Sequence, residues 1–339
     1  MIPSPGRVLP MTAPEPSTGL SANLAPPSLA PAELYCIDLD LPGREGFRRF
    51  ISAWLYRDAQ LTFVVDPGPL ATLPLLLTAL RHCQVDRLDL ILLTHIHIDH
   101  AGATGALLRE FPQARVVCHA EGVRHLVAPE KLWQGSLKVL GELARDYGEI
   151  VPVAQTAFVA EEQWLTLPLQ VVATPGHAVH HQSYLLADLL FAGEVAGVRS
   201  PSPAGLYMRP ATPPRFDLTI ALASVERVLA LQPQSLVFAH YGLVPQAQHH
   251  LRLARRQLLL WVQGCIRTAD LAEDEQPAAF WRYLLTHDAE FARFDGLAAD
   301  IQVRERYFFS NSHRGMRDYV AGLNAAQRAE LLARPLPAL

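Results

Sequence analysis

The pattern of hydrophobic positions divides the chain into short strands and helices. Three segments after residue 33 have the composition and length of strands: 34–39, 50–56 and 61–65. Asp66-Pro67-Gly68 closes the third segment with a turn. The periodicity of 70–83 then predicts a helix, and the continuous apolar run at 90–93 predicts a strand buried on both faces. This strand leads directly into a cluster of histidines.

Strands and helices alternate through the middle of the chain. Helical periodicity is found at 103–110, 121–127 and 218–231. Strand patterns are found at 114–118, 169–174 and 235–239, with a hairpin across 184–191. From Pro245 on, strand patterns mostly stop and a long helix is predicted, with the proline near its first turn. The predicted fold is therefore α/β (or α+β) with a mainly helical C-terminal region.

These patterns predict three parts. Residues 1–33 are rich in proline, serine and alanine without apolar periodicity, which indicates a disordered leader. Residues 34–245 would form one α/β domain and residues 246–339 a helical region. We expect that region to pack on the rest of the chain because its aromatic residues need burial: Phe280, Trp281, Tyr307, Phe308 and Phe309.

Composition narrows the class of partner. The formal net charge is only -4 and no long basic run is present, so neither nucleic acid nor an anionic membrane surface is an expected partner. No apolar stretch reaches the roughly 18 residues of a membrane span, and no secretory signal is evident. Four widely spaced cysteines are typical of a reducing compartment. A cytoplasmic protein acting on a small molecule is expected, and its oligomeric state is left open.

The largest cluster of candidate metal-ligating side chains lies at 95–100, where three imidazoles and one carboxylate follow the apolar strand. Alternate residues of an extended turn point the same way, so His95 and His97 can bind one ion while Asp99 and His100 face a second. The alternative, a group of surface histidines in a loop, is disfavoured because the strand would direct them into a cleft.

More distant residues can complete the site. His177 follows a strand and the turn Pro175-Gly176, and His240 follows the last predicted strand, so each is a candidate ligand rather than an ordinary loop histidine. A carboxylate is expected to bridge two ions because it offsets their mutual repulsion, and Glu194 is the candidate, with a solvated glutamate as the alternative.

The remaining histidines receive weaker assignments. His181, together with Tyr207 and Arg209, is a candidate for contact with substrate. His119 is expected to be a hydrogen-bonded core residue. The others are expected to face solvent or cap helices: His82, His125, His249, His250, His287 and His313.

The segment 94–102, Thr-His-Ile-His-Ile-Asp-His-Ala-Gly, resembles the H-x-H-x-D-H motif of the metallo-β-lactamase superfamily. Asp66-Pro67-Gly68 resembles an earlier aspartate-glycine turn of that family. The resemblance covers about 34–245 and implies an αββα sandwich with the site at its edge. Segments 176–181 and 207–214 look like the glyoxalase II-like branch, without its established substrate residues.

The resemblance also implies a ligand assignment. One ion would take His95, His97 and His177, and the other Asp99, His100 and His240. The family usually has aspartate where this chain has Glu194, whose carboxylate lies one methylene farther from the backbone. Two divalent ions are expected, with zinc favoured and iron or manganese compatible with the same ligands.

The expected activity is metal-dependent hydrolysis. Metal ions lower the pKa of water toward about 7, and the hydroxide would attack an ester, thioester, lactone or amide, with Asp99 orienting it. Three alternatives remain: a nuclease, an iron-dependent oxidoreductase and a binding module without turnover. The weak basic character of the chain argues against the nuclease.

Overall fold

The computed structural model describes residues 6–8, 32–203, 205–212 and 215–339. Its first sheet has six strands in chain order: β1 Gly6–Val8, β2 Glu33–Asp38, β3 Ser52–Arg57, β4 Thr62–Val65, β5 Leu90–Leu92 and β6 Arg115–Val117. The first four strands pair antiparallel, as short loops allow. β4, β5 and β6 pair parallel because a helical crossover joins each to the next.

The second sheet has the order β13-β12-β9-β8-β7. Its strands are β7 Gln170–Ala173, β8 Gln182–Leu186, β9 Leu189–Phe191, β12 Ser235–Val237 and β13 Leu243–Val244. β9 and β12 are parallel, and the other pairs are antiparallel. A separate hairpin consists of β10 Val198–Ser202 and β11 Gly205–Arg209.

Eleven α-helices occur in the described part of the chain. Those before β12 are α1 Leu73–His82, α2 Ile98–Ala101, α3 Thr104–Glu110, α4 Ala120–Val127, α5 Glu130–Leu140, α6 Glu142–Tyr147 and α7 Leu218–Ala230. Those after it are α8 Ala247–Thr268, α9 Gln276–His287, α10 Ala299–Ala321 and α11 Ala325–Ala333. Short 3-10 helices are found at Leu70–Thr72, Gln155–Ala157, Glu161–Thr166 and Phe291–Gly296.

Buried side chains show how the layers stack. Trp54 and Phe63 of the first sheet pack between the sheets with Tyr184 and Phe191 of the second. The other face of the first sheet is covered by α1 and α3 to α6, and the other face of the second sheet by α7 and α8. The predicted αββα sandwich is confirmed.

Parallel pairing sets the position of the site. β4 and β5 run side by side and are followed by Asp66 and the segment 94–100. In the second sheet β9 and β12 run side by side and are followed by Glu194 and His240. The carboxyl ends of parallel neighbours share one edge of a sheet, so the chain delivers polar residues from both sheets to one end of the sandwich.

The C-terminal helices form a core of their own with α7. Its largest buried side chains include Trp261, Phe280, Phe291 and Phe309. Tyr307 is 37% exposed, contrary to the expected burial, because it lies on the outward face of α10. Among the described residues no helix is long and apolar enough to cross a bilayer.

Several local predictions need correction. No element was predicted for 128–168, where α5 and α6 form, and α5 has no fully buried residue. Pro245 lies two residues before α8, near its first turn as predicted. His250 and His313 are buried in helices and do not face solvent or cap an end. His119 caps α4 and is only partly buried.

Most of the predicted disordered leader lies outside the described residues. Of this segment, residues 6–8 and 32–33 are described: Gly6–Val8 pairs antiparallel with residues 34–36 of β2, and Glu33 is the first residue of β2. The prediction of a leader without structure did not anticipate this strand, because three residues are too few to show a strand period.

Candidate metal centre

The seven predicted ligands lie together in two groups at the shared edge of the sheets. In each group the candidate ligand atoms lie within 4.8 Å of one another. The first ligand group is His95, His97, His177 and Glu194, and the second ligand group is Asp99, His100 and His240. The structure thus brings together every residue that the sequence proposed as a ligand.

Hydrogen bonds orient the histidines of the first group. The Nδ1–H of His95 donates to Thr94 Oγ1 at 3.0 Å, and the Nδ1–H of His177 donates to the carbonyl of Ala211 at 3.0 Å. Each bond leaves the Nε2 lone pair facing the site. His97 presents Nδ1, which lies 2.9 Å from His177 Nε2. The loop after β5 therefore aims its two histidines at one point.

The second group is held by other partners. His100 donates its Nδ1–H to Asp66 Oδ2 at 3.2 Å, and Asp66 also accepts bonds from the backbone N–H and the hydroxyl of Thr94. His240 donates its Nδ1–H to the carbonyl of Phe50 at 3.2 Å and stacks on the Phe50 ring at 4.3 Å. Both imidazoles therefore also present Nε2 to the site.

Glu194 lies between the two groups. Its Oε2 is 2.8 Å from His177 Nε2, 3.3 Å from His95 Nε2 and 3.5 Å from His100 Nε2. Its Oε1 is 3.4 Å from His240 Nε2. The longer glutamate side chain thus reaches both groups from its position after β9.

A tight turn fixes the glutamate backbone. The Glu194 N–H donates to His181 Nε2 at 2.9 Å, and His181 Nδ1 is 2.8 Å from Thr174 Oγ1. Gly193 has a φ of +57°, and a Cβ there would lie 2.4 Å from His181 Nε2. Only glycine lets the backbone approach that imidazole. The hydrogen bond to His181 therefore fixes the backbone position from which the Glu194 side chain extends.

The charges of the site are strongly coupled. Burial alone would raise the pKa of Glu194, but the imidazoles of His177 and His240 hold it well below its usual value. Burial alone would lower the pKa of His100, but nearby carboxylates, that of Asp99 first, hold it well above 6.5. Burial lowers the pKa values of His95 and His97 well below 6.5. Glu194 is accordingly an anion among imidazoles of which some are neutral.

The donor set fits metal ions. The Nε2 atoms of His95 and His100 are buried without a hydrogen-bond partner, which is costly unless another group binds them. Imidazole nitrogen and carboxylate oxygen are the usual ligands of zinc and of iron or manganese in proteins. Two such sets joined by one carboxylate can hold two divalent ions.

Of the three residues proposed to contact substrate, Arg209 lines the cavity, whereas His181 and Tyr207 do not. His181 is fully buried behind Glu194, and burial lowers its pKa to about 3. Tyr207 is fully buried beside Phe291, away from the site. Arg209 borders the site, but its Nε donates to Glu305 Oε2 at 2.5 Å, so its charge is already paired.

A cavity of about 680 Å³ opens onto the ligands. Its wall includes Leu132, Val139 and Leu140 of α5, Tyr147 of α6 and Phe308 of α10. The α5 and α6 parts of this wall were not predicted from the sequence, because neither helix was. Asp66 was noted only as part of a turn, and its contact with His100 gives it a positioning role that its place after β4 could have indicated.

Comparisons with known proteins agree with this geometry. The model of the family described as Metallo-beta-lactamase superfamily matches residues 46–240. A metallo-β-lactamase fold-containing protein of Sulfurisphaera tokodaii is 35% identical over 169 residues, which cover 47% of this chain and 63% of that protein. A hydroxyacylglutathione hydrolase of Aeromonas salmonicida is 33% identical over 141 residues, which cover 42% of this chain and 44% of that protein. The chain thus spans less than two thirds of the length of these curated relatives.

Solved structures show the same fold. The archaeal metallo-β-lactamase superfamily protein of Sulfolobus tokodaii aligns with a TM-score of 0.62 at 24% identity, over 84% of this chain and 98% of that chain. A metallo-β-lactamase family protein of Thermus thermophilus aligns with a TM-score of 0.59 at 20% identity, over 85% of this chain and 93% of that chain. The family match covers more than half of the sequence, from the loop after β2 to the ligand His240, and the chain therefore belongs to the metallo-β-lactamase superfamily.

Proposed function

We propose that this protein is a hydrolase that uses two divalent metal ions to cleave an ester or thioester of a small molecule. The observation that supports this proposal most directly is the position of Glu194, whose two carboxylate oxygens face the two ligand groups. A shared carboxylate offsets the repulsion between two dications and keeps them close enough to act on one substrate.

Bound ions would supply a hydroxide nucleophile at neutral pH and polarise the carbonyl under attack. The residues of the chain would hold and orient the reactants. Asp99 borders the cavity, with Oδ2 lying 3.5 Å from His100 Nε2 and 3.7 Å from His240 Nε2. Its second oxygen can accept a proton from the attacking water and so orient that water toward the substrate.

The cavity supports a small substrate with an apolar part. Leu132 and Leu140 of α5 form an apolar wall, and Val179 beside the ligands is 70% exposed. Apart from the candidate ligands Asp99 and Glu194, the charged groups in the cavity wall are cationic. An acyl compound that carries an anionic group fits these walls, and the similarity to a hydroxyacylglutathione hydrolase supports a thioester.

The proposal is tested by metal analysis and a substrate panel. Purified protein is analysed for zinc, iron and manganese and is then assayed with matched esters, thioesters, lactones, amides and a phosphodiester. We expect about two ions per chain and turnover of an ester or thioester that chelation abolishes and added metal restores. Bound iron with oxygen consumption and no hydrolysis would favour an oxidoreductase, and bound metal without any turnover would favour a binding module. Turnover of the phosphodiester alone would favour a nuclease.

A further inference from the structure

Helix α5 turns one face toward the cavity that contains the candidate metal ligands. The residues of this face are Lys131, Leu132, Gly135, Ser136, Val139 and Leu140. Their spacing places them on one side of the helix, because residues four apart lie one above the other. Lys131 begins the face and Leu140 ends it, about 13 Å farther along the helix axis. The face is therefore charged at one end and apolar at the other.

The charged end of this face lies on the side of the first ligand group. Burial lowers the pKa of His125 in α4, and the positive charges of Arg124 and Lys131 lower it further. Burial and neighbouring imidazoles, that of His125 among them, lower the pKa of His180 to about 4. The ring centroid of His180 lies 5.9 Å from that of the ligand His97. Two imidazoles thus connect the surroundings of Lys131 to the first ligand group.

No acidic residue neutralises Lys131. Its side chain is exposed, and it forms no ion pair or hydrogen bond with another residue that the structure describes. Apart from Asp99 and Glu194, which belong to the ligand groups, no carboxylate lines the described part of the cavity. The other guanidinium or ammonium groups of the wall are those of Arg209, whose charge is already paired, and Arg215. A cation in a cavity without a counter-charge attracts an anionic ligand.

We propose that Lys131 binds a carboxylate of the substrate and thereby sets which acyl compounds this protein accepts. This inference rests on the proposed function. The bond to be cleaved would lie over the ligand groups, the carboxylate would lie toward Lys131, and the uncharged part would pack along the apolar end of α5. One ammonium group matches the single charge of a carboxylate, and its flexible side chain can follow substrates of somewhat different length.

Loss of this contact should weaken substrate binding more than it slows the chemical step. Lys131 would touch a part of the substrate that does not react, so the contact would be equally strong in the bound substrate and in the transition state. A neutral side chain at this position should therefore raise KM for an anionic substrate and leave kcat nearly unchanged. A hydrogen bond to a charged group is strong enough to change affinity by about tenfold.

The test compares two thioesters that differ in charge, the S-phenyl monothioester of glutaric acid and that of glutaramic acid. In Lys131→Met we expect KM for the carboxylate thioester to rise by about tenfold. The kcat values, the KM for the carboxamide thioester, the metal content and the thermal midpoint should not change. Added salt should raise the KM of the wild type for the carboxylate thioester and should affect that of the variant little.

The matched control is Lys138→Met. Lys131 and Lys138 are the only lysines of the chain, and both are exposed on α5. Lys138 lies about two turns farther along the helix and does not line the cavity, so both KM values should be unchanged in its variant. Arg215→Met tests the other unpaired cation of the wall. A loss of carboxylate preference in Arg215→Met that Lys131→Met does not share overturns the proposal.

The two lysines also provide a readout that needs no turnover. Reductive methylation with isotopically labelled formaldehyde keeps their charge and gives each lysine its own NMR signal, which the two lysine variants assign. Glutarate should shift the signal of Lys131 and leave that of Lys138 unchanged. The uncharged glutaramide should shift neither signal.

The outcomes separate this proposal from the proposed function. An unchanged KM for the carboxylate thioester in Lys131→Met, or a Lys131 signal that glutarate does not move, overturns the role of Lys131. If no ester or thioester is hydrolysed but glutarate still shifts the Lys131 signal alone, the proposed function fails and the carboxylate site stands. If the wild type hydrolyses both thioesters with equal KM, the proposed function stands and the carboxylate site fails.

Discussion

The two ligand groups are supported by different parts of the molecule. In the first ligand group, Thr94 hydrogen-bonds His95 and His181 lies behind Glu194. Ala211, in the segment that follows the β10-β11 hairpin, accepts a hydrogen bond from His177. The second ligand group depends in addition on the C-terminal helices. His240 stacks on Phe50, and the guanidinium of Arg304 in α10 covers the same Phe50 ring at 4.1 Å.

Arg304 is itself fixed by neighbours that cross the domain boundary. Its Nη1 donates to the carbonyl of Gly46 at 2.8 Å, and it pairs with Glu305, which also pairs with Arg209. All three charged side chains are almost fully buried. The helical region therefore supports the second candidate ligand group, because Arg304 packs on the Phe50 ring on which His240 stacks.

The largest expected effect comes from deletion of one ligand in each group. We expect His97→Ala and His100→Ala each to remove most of the bound metal and to lower activity by well over 100-fold, more than loss of an outer partner costs. The fold should persist, because both residues lie on a large independent core. Circular dichroism checks the fold and elemental analysis counts the ions. Unchanged metal content in both variants contradicts the ligand assignment.

Glu194 is the residue that joins the two groups, and two substitutions there test the charge of the side chain and its length separately. The neutral amide of Glu194→Gln cannot offset the repulsion of two dications, so we expect metal content to fall from about two ions toward one. Activity should fall by about 100-fold, while stability changes little.

The matched variant is Glu194→Asp, which keeps the charge and shortens the reach. We expect it to retain at least one ion, since the carboxylate can still contact the first group. Two ions and full turnover in the glutamine variant would show that Glu194 does not bridge.

An intermediate effect is expected from the C-terminal support of the second group. Arg304→Met removes the cation that covers Phe50 and leaves Glu305 paired with Arg209. We expect the affinity of the second ion to fall by about tenfold, as for other outer partners, with the first ion unaffected. A titration of the metal-free protein with zinc, followed by calorimetry, resolves the binding of the first ion from that of the second.

The control for this variant is on the same helix. Arg306→Met also removes a guanidinium that covers an aromatic ring, that of Trp281 at 4.7 Å, but this ring lies away from the ligands. We expect no change in either binding step. An equal loss of metal affinity in both variants, or a loss confined to the first ion, contradicts the proposed support of His240 by α10.

The smallest expected effect is on the number of protons that the protein releases when metal binds. Because His100 has a pKa held well above 6.5 in the metal-free protein, metal binding near pH 7 should release its proton. A raised histidine pKa also contributes stability that is present below pH 6.5 and lost as the pH rises through the folded value. Asp66→Asn removes one of the carboxylates that raise this pKa, so fewer protons should be released. Calorimetry in two buffers of different ionisation enthalpy measures the number of protons released on metal binding. Equal proton release by the wild type and the Asp66→Asn variant would show that Asp66 does not raise the pKa of His100.

The sequence determined the central strands and the candidate ligands of this protein. Apolar runs at 90–93 and 235–239 predicted the central strands, and the histidine-rich segment after β5 supplied four candidate ligands by local spacing alone. Glu194 and His240 could be inferred because each follows a strand of the parallel pair β9 and β12, whose carboxyl ends share one edge of the sheet. His177 could be inferred from its place after a strand and the turn Pro175-Gly176. The family motif reinforced that inference.

The tertiary structure decided what surrounds those ligands. Tyr207 and His181 looked suitable for substrate contact by sequence proximity, yet both face away from the cavity, since sequence distance does not fix the direction of a side chain. Tyr147 and Arg304 come from helices whose role no local pattern indicates. Their contacts join residues far apart in the chain, and only the packing of the helices against the sandwich brings them to the site.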